Sequence, residues 1–149
     1  MTEVLFYHLE QRPLEQVLPI LLEKTLERGW RAVVQTGSEE RSEALSNVLW
    51  TWRDEGFLPH GTTRDGNPEH QPVWLTENDE SPNGATVRFY VDGAVLGDVS
   101  GLERAVYMFD GRDEQAVERA RNEWKQITAS DNEATYWQQD ESGRWQKKA

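Results

Sequence analysis

The first candidates for chemistry in this sequence are its three histidines. His60 and His70 share one polar stretch with Asp65 and Glu69, and these are residue types that bind divalent metals. No helical pairing or known ligand spacing supports a metal site, so solvated loop residues are the simpler interpretation. His8 follows the first apolar run, where a general base needs a neighbouring nucleophile, and no Gly-x-Ser-x-Gly elbow provides one. The sequence therefore predicts no metal, no cofactor and no catalytic residue.

Neither of the first two turns of the chain has the form of a phosphate-binding loop. The turn after the first apolar run, residues 8–13, contains no glycine. The turn after the second run contains a single glycine, Gly37, and the acids Glu39 and Glu40 follow Ser38. A dinucleotide or triphosphate loop needs several glycines, and two carboxylates there would repel a pyrophosphate. Carboxylates are abundant elsewhere, but no catalytic pair can be selected from so acidic a chain.

The acidic composition narrows the possible partners. The chain has 149 residues, no cysteine and a formal net charge of −11. The lack of cysteine excludes disulfides, thiolate catalysis and cysteine-ligated zinc or iron–sulfur sites. Long-range repulsion of phosphate disfavours direct DNA binding, although the basic residues near Arg121 suffice to hold one carboxylate. No apolar run spans a bilayer and no basic segment precedes the first run, so we expect a cytoplasmic protein without a signal peptide and without membrane binding.

Two groups of aromatic residues remain as binding candidates. The first begins with Trp50 at the end of a predicted helix, continues through Phe57 and Pro59, and includes Trp74 in the next predicted strand. Large aromatic side chains beside proline and charged residues are typical of contact surfaces. The alternative is that Trp50 or Trp52 covers the core with Phe57 beneath it, since large aromatics are highly buried on average.

The second group lies on the last predicted helix, where Arg121 is one turn from Val117 and Trp124, with Tyr136 or Trp137 expected nearby. A guanidinium beside aromatic rings suits a peptide that ends in an apolar residue and a free carboxylate. The guanidinium forms charge-assisted hydrogen bonds while the rings bury the side chain. The alternative is that Trp124 belongs to the core and Arg121 is solvated.

The elements that must position these residues form a predicted single-domain, three-layer α/β/α sandwich. Alternating strands and helices favour a mostly parallel, roughly five-stranded sheet that is Rossmann-like but lacks a nucleotide fingerprint. Pro19 interrupts the first helix, Ser38 is expected to cap the second, and Asp110 and Asp113 begin the third. The apolar runs and periodicities place strands near residues 4–7, 31–36, 73–75, 87–91 and 105–109, and helices near 14–28, 39–52 and 110–128.

The end of the chain is polar. After the third helix, only Ala134-Thr135-Tyr136-Trp137 has enough apolar character to lie back on the body of the protein. We therefore expect residues 1–138 to form the domain and residues 139–149 to form a loose polar tail.

Several short motifs occur here in an informative order. The most specific are Leu49-Trp50, then Phe57-Leu58-Pro59-His60, then Pro72-Val73 before the third strand. Supporting motifs are Phe6-Tyr7, the Arg28-Gly29-Trp30-Arg31 turn, and the helical run Ala120-Arg121-Asn122-Glu123-Trp124-Lys125. In order and spacing, over nearly the full chain, the sequence resembles the chi subunit family of bacterial DNA polymerase III, an accessory subunit of the clamp loader.

This resemblance implies a single α/β domain with no catalytic activity. Family members link the clamp loader, through the psi subunit, to the C-terminal tail of the single-stranded-DNA-binding protein. Trp50 and Phe57 match the face that docks psi, which in the family also engages a helicase-like partner. On this basis Pro59, His60 and Trp74 are assigned to the same face.

The resemblance also assigns the tail pocket. Arg121 and Trp124 match its basic and aromatic residues, and Val117, Lys125 and Trp137 are placed with them. The tail is acidic and ends in Pro-Phe, which suits a guanidinium beside an aromatic wall. Two departures matter, because some members have a lysine at the position of Val117 and a tyrosine at that of Trp124. Loss of the lysine would weaken tail binding or transfer its role to Lys125.

The resulting hypothesis is a non-catalytic accessory subunit of the DNA polymerase III holoenzyme that bridges psi, or an equivalent component, and the single-stranded-DNA-binding protein. Two alternatives stay open. One is a small α/β enzyme or nucleotide-binding protein with an unrecognised site. The other is an adaptor for a repair helicase that uses Trp50 and Phe57 without the clamp loader.

Overall fold

The computed structural model describes residues 2–52 and 58–149. In those ranges the chain forms three α-helices and seven strands, and none of the helices is long and apolar enough to cross a membrane. The elements are β1 (Glu3–Leu9), α1 (Leu14–Glu27), β2 (Ala32–Gln35), α2 (Glu39–Thr51), β3 (Val73–Thr76), β4 (Val87–Tyr90), β5 (Arg104–Asp110), α3 (Glu114–Thr128), β6 (Glu133–Gln139) and β7 (Trp145–Lys147), with a 3-10 turn at Pro68–His70.

The strands form one sheet in the order β3-β2-β4-β5-β1-β6-β7. Neighbouring strands from β3 to β6 run parallel, and β7 runs antiparallel to β6. From β1 the chain passes through α1 to β2, whereas from β5 it passes through α3 to β6 on the opposite side of β1. The carboxyl ends of β1 and β5 therefore mark the point where the strand order reverses, a common location of ligand sites in open α/β sheets.

Helices cover both faces of the sheet, which confirms the predicted three layers. On one face, Leu18 of α1 and Leu45 of α2 are buried in the same core cluster as Val34 of β2. On the other face, Ala120 of α3 is buried with Phe6 of β1. Because both faces are covered, the central strands are apolar on both sides, which explains their continuous apolar sequences.

Side-chain caps define where α2 and α3 begin. Ser38 Oγ accepts a hydrogen bond from the backbone N–H of Arg41 at 3.3 Å. The Asp113 carboxylate accepts hydrogen bonds from the backbone N–H groups of Gln115 and Ala116 at 3.0 and 3.4 Å. Both caps satisfy N–H groups that lack partners within the helix. The predicted Ser38 cap is confirmed, whereas α3 is capped by Asp113 and Asp110 ends β5. α1 continues through its internal proline as one helix.

The chain after α3 differs from the prediction. β6 lies beside β1 and β7 lies beside β6, so the sheet has seven strands rather than roughly five. Trp145 of β7 packs edge-on against Tyr7 with ring centroids 4.8 Å apart. The side chain of Gln139 accepts backbone hydrogen bonds from Gln11 and Arg12 at 3.3 and 3.2 Å. The prediction of a loose tail over residues 139–149 is therefore wrong. These residues are polar because they lie at the edge of the sheet.

Candidate functional site

The end of α2 presents an exposed tryptophan. Trp50 lies in the last turn of α2 and is 51% exposed, and its ring centroid lies 4.7 Å from that of His60. Pro59 is half-buried nearby in sequence, and Trp52, expected in the core, is half-buried at the C-cap of α2. We call the surface around Trp50 and Pro59 the Trp50 face. Phe57, which the sequence assigns to this face, lies outside the described residues.

His60 lies beneath this face rather than on it. Its side chain is 5% exposed, with Nδ1 2.6 Å from the carbonyl oxygen of Leu58 and Nε2 3.2 Å from that of Ser46. Both partners are carbonyl oxygens, which only accept hydrogen bonds, so the imidazole acts as a donor here. These contacts join the loop after α2 to the helix and hold the imidazole against Trp50. The prediction that His60 contacts a partner is therefore wrong, and His60 instead supports Trp50 from beneath.

Trp74 is also removed from the exposed face. Its side chain is 2% exposed and packs with Val33 and Ala85. Its indole N–H donates to Glu80 Oε1 at 3.1 Å. The turn between β3 and β4 folds over the ring and supplies this acceptor. The assignment of Trp74 to a partner face is wrong, because the sequence does not reveal that the turn covers it.

A second site is assembled from α3, β1 and β6. Trp124 of α3 is half-buried, and its ring is edge-on to Phe6 and Tyr136 at centroid distances of 5.3 and 5.7 Å. Arg121 is exposed one turn earlier. Burial raises the pKa of the Tyr136 hydroxyl, and the nearby positive charge of Arg121 opposes that rise. We define the Trp124 site as Arg121, Trp124, Tyr136, Val117 and Lys125.

The Trp124 site combines a free cation with aromatic surface. Within residues 2–52 and 58–149, Arg121 has no carboxylate within 4.0 Å, so its guanidinium can bind an external carboxylate. Lys125 is exposed one turn later and adds a second positive charge. Val117 is half-buried against the α3-side core and adds apolar surface but no charge. The arrangement suits an apolar side chain with an adjacent carboxylate.

Trp137 is on the other face of the sheet. Adjacent residues of a strand point to opposite faces, and Tyr136 is the one that points toward Trp124. The indole N–H of Trp137 instead donates to Thr135 Oγ1 at 3.0 Å. The assignment of Trp137 to the tail pocket is therefore wrong. Of the two residues that the sequence offered as neighbours of Trp124, Tyr136 is the one that packs against it.

A series of polar contacts holds Tyr136 in position. Its hydroxyl lies 2.6 Å from His8 Nδ1, and His8 Nε2 lies 2.9 Å from Glu10 Oε1. The same carboxylate oxygen accepts a hydrogen bond from Gln138 Nε2 at 3.1 Å. The imidazole packs closely on Gly111, where an added Cβ would lie 2.0 Å from ring atoms. Sequence reasoning missed this role of His8, because His8 and Tyr136 are 128 residues apart.

The metal hypothesis for the loop before β3 gains no support. Among residues 2–52 and 58–149, no group of three or more His, Asp or Glu side chains is arranged to hold a metal ion. His60 is buried, whereas His70 is exposed, so the two rings occupy different environments.

Comparisons with known proteins identify the family. The family model described as DNA polymerase III chi subunit, HolC, matches residues 1–135. The probable DNA polymerase III subunit chi of Rickettsia prowazekii (strain Madrid E) is 25% identical over 109 residues, or 73% of this chain. That alignment covers 66% of the relative, slightly less than two thirds of its length. Because the family model matches nearly the whole sequence, the chain belongs to the DNA polymerase III chi subunit family.

Proposed function

We propose that this protein is a non-catalytic accessory subunit of the DNA polymerase III clamp-loader complex in DNA replication. It bridges the psi subunit, or an equivalent component, and the C-terminal tail of the single-stranded-DNA-binding protein. The Trp50 face binds the clamp-loader side, and the Trp124 site binds the tail. The net charge of −11 favours this division of labour, because a bridging protein of this kind does not itself need to contact DNA.

One observation carries the proposal. Arg121, which has no carboxylate partner among residues 2–52 and 58–149, lies beside the edge-to-face pair formed by Trp124 and Tyr136. An acidic tail that ends in Pro-Phe offers both groups that this site lacks. Its terminal carboxylate pairs with the guanidinium, and its phenyl ring extends the aromatic cluster. Lys125 attracts the acidic residues that precede the end of the tail.

Titration with a labelled acidic peptide that ends in Pro-Phe tests this site. Arg121→Ala should weaken binding by about tenfold or more, since hydrogen bonds to charged groups contribute about 1.5–3 kcal/mol. Arg119→Ala is the matched control, because Arg119 is an equally exposed arginine of α3 that lines a different cavity. The same peptide with an amidated C-terminus should lose a similar factor with the unchanged protein. Equal binding by the Arg121→Ala variant would overturn the tail assignment.

The Trp50 face is tested separately, with purified psi or with the clamp loader of the same organism. Trp50→Ala should abolish capture while leaving binding of the tail peptide unchanged, since a large exposed tryptophan is a typical interface anchor. Val95→Ala serves as the control, because Val95 is a second exposed apolar side chain, 68% exposed, in the loop between β4 and β5, which contacts α2 at Arg41, the opposite end from Trp50. Retained capture by the Trp50→Ala variant would overturn this half of the proposal.

Two moderate contacts suffice for the bridge. Binding at one site raises the effective concentration of the second partner near the other site, so the linked complex is tighter than either contact alone. A helicase that binds the Trp50 face in place of a clamp-loader component is the competing assignment. If the helicase and the clamp-loader component compete for binding, both use the Trp50 face. If they bind at the same time, they use different surfaces.

A small-molecule site is the second candidate function, and one cavity favours it. A cavity of about 530 Å³ lies beyond the carboxyl ends of β1 and β5, where the strand order reverses. Four arginines and four carboxylates line it, so their formal charges cancel. Thermal unfolding in the presence of nucleotides and divalent metals tests this reading, because a bound ligand raises the unfolding temperature. No shift with any of them would eliminate it.

A further inference from the structure

A second, smaller cavity lies on the α1 side of the sheet and takes no part in the proposed bridge. It has a volume of about 140 Å³ and lies between the last turns of α1 and the strands β1, β4 and β5. We call it the α1 cleft. A cavity of about 150 Å³ holds one benzene ring, so this volume accommodates a small apolar group of a ligand and leaves its charged group at the mouth. Its apolar floor is formed by Leu5, Phe89 and Val106, with Leu21 at the side.

The charges around the α1 cleft are opposite to those of the whole chain. Lys24, Arg28 and Arg104 line it, and none of the other described residues of its lining is a carboxylate. The Glu3 carboxylate lies outside the lining and binds Arg104 Nε at 2.7 Å. The four groups together carry a formal charge of +2, on a chain whose net charge is −11. The cleft therefore has a local positive charge that attracts anions.

Two of the cations are held in place before any ligand arrives. The guanidinium carbons of Arg28 and Arg104 lie 5.2 and 5.4 Å from the ring centroid of Trp30, within the range of cation–π attraction. Trp30 is itself fixed at the end of α1, where Gly29 adopts a φ of +80° and the Trp30 N–H donates to the carbonyl of Thr25 at 3.2 Å. Preorganised charges reduce the entropic cost of binding.

Tyr7 supplies a neutral donor to the same cleft. Its hydroxyl has no hydrogen-bond partner among the described residues, although its ring is packed edge-on by Trp145. Burial raises the pKa of the Tyr7 hydroxyl, and the opposing charge of Arg104 does not cancel that effect. The hydroxyl therefore keeps its proton at neutral pH and can donate it to an oxyanion.

We propose that the α1 cleft binds a phosphate monoester carried on an apolar or aromatic group. A phosphate monoester has a charge of about −1.5 to −2 at pH 7, which matches the local charge of +2 better than a carboxylate does. Lys24, Arg28 and the Tyr7 hydroxyl contact the phosphate oxygens, and the apolar floor covers the organic group. This site is independent of both the Trp50 face and the Trp124 site.

Calorimetric titration with phenyl phosphate and with benzoate at equal, low ionic strength tests the ligand class. Phenyl phosphate should saturate one site and bind about tenfold or more tightly than benzoate, a difference of about 1.4 kcal/mol per tenfold. Binding should strengthen as pH rises through about 6, where the phosphate gains its second charge. The absence of saturable binding, or equal binding of benzoate, would overturn the proposal.

Variants locate the bound phosphate. Arg28→Gln and Lys24→Gln should each weaken phenyl phosphate binding by about tenfold, because each removes a charged donor at an exposed position that leaves the core unchanged. Arg64→Gln is the matched control, since the Arg64 side chain is 75% exposed and lies in the loop before β3. Undiminished binding by both cleft variants, or an equal loss in the control, refutes the site.

Discussion

The Trp50 face and the Trp124 site are both aromatic, but they are built in different ways. Trp50 projects from the end of one helix, and its support, His60, is only ten positions further along the chain. The Trp124 site draws its parts from opposite ends of the sequence, since Phe6 and His8 of β1 meet Tyr136 of β6 beneath α3. The first surface is local, and the second exists only when the sheet is assembled.

This difference predicts how each surface responds to damage. A change near α2 should affect one face and leave the other intact, because the described contacts that hold His60 against Trp50 lie within α2 and the residues just after it. A change in β1, β5 or β6 should reach the Trp124 site even from a residue that no ligand contacts.

The largest expected effect is loss of the folded state at strongly alkaline pH. Burial raises the pKa of all four tyrosines above the usual 10.0, so the folded protein favours their neutral forms. The contribution of the neutral tyrosines to the free energy of unfolding is then fully present below pH 10. It is lost as the pH rises through the folded-state pKa values. Tyr107 and Tyr136 belong to the α3 face, so the Trp124 site should change before the Trp50 face. Phenolate absorbance of the folded protein measures this, and a midpoint at or below 10 would contradict it.

Gly111→Ala should disrupt the Trp124 site from behind. The new Cβ would lie 2.0 Å from the imidazole of His8, which must move and release the Tyr136 hydroxyl. Overpacking of this kind costs about 1–3 kcal/mol in the free energy of unfolding, and tail-peptide binding should fall with it. Capture at the Trp50 face should be unchanged, which denaturant unfolding and the two binding assays check.

Gly97→Ala is the matched control for this change. Gly97 is exposed, and the nearest atom to its added Cβ is the flexible Asp79 carboxylate at 3.2 Å. His8→Ala combined with Gly111→Ala should recover part of the lost stability, because the clash is gone. No recovery in the double variant would show that the turn itself, rather than His8, is sensitive.

His60→Ala should produce the converse result. Removing a buried ring that contacts two carbonyl oxygens should lower the free energy of unfolding by about 1–3 kcal/mol. Trp50 should then lose its support, so that partner capture weakens while tail-peptide binding persists. His70→Ala is the control, because the His70 side chain is 78% exposed. Loss of tail binding in the His60→Ala variant would show that the two surfaces are coupled.

Tyr136→Phe should have the smallest effect. The ring against Trp124 is retained, and only the hydrogen bond to His8 is lost, which should cost about 0.5–1.5 kcal/mol of stability. Tail-peptide binding should weaken by a few fold as the wall of the site becomes less rigid. Tyr107→Phe provides the comparison, because the Tyr107 hydroxyl has no hydrogen-bond partner among the described residues. Equal effects of the two substitutions would show that the His8 contact is unimportant.

Much of this architecture is predictable from local sequence signals. The strands β1 to β5 and all three helices lie close to their predicted positions, and Ser38 caps α2 as expected, whereas α3 is capped by Asp113, three residues later than predicted. These features depend on periodicity and on side chains within one turn of each other, so the linear sequence contains the necessary information. The exposure of Trp50 is different, because residue type left open whether this side chain covers the core, and the family resemblance assigned it to a partner face.

The wrong assignments concern residues whose surroundings are set by tertiary packing rather than by their own residue type. Trp74 is buried by the turn after its own strand, and Tyr136 rather than Trp137 faces Trp124 because of the face of β6 that meets α3. The sequences of β6 and β7 are polar because these strands lie at one side of the sheet, so the apolar pattern that predicts a strand is missing there.

Local pattern therefore determined which elements form and where they begin, because propensity, capping and amphipathic spacing act over a few residues. Tertiary structure decided which side chains meet. His8 reaches Tyr136 only because β1 and β6 are adjacent and in register, with Phe6 opposite Tyr136. Strand pairing is a long-range choice that depends on the packing of the whole sheet, and one residue of shift would turn Tyr136 to the opposite face.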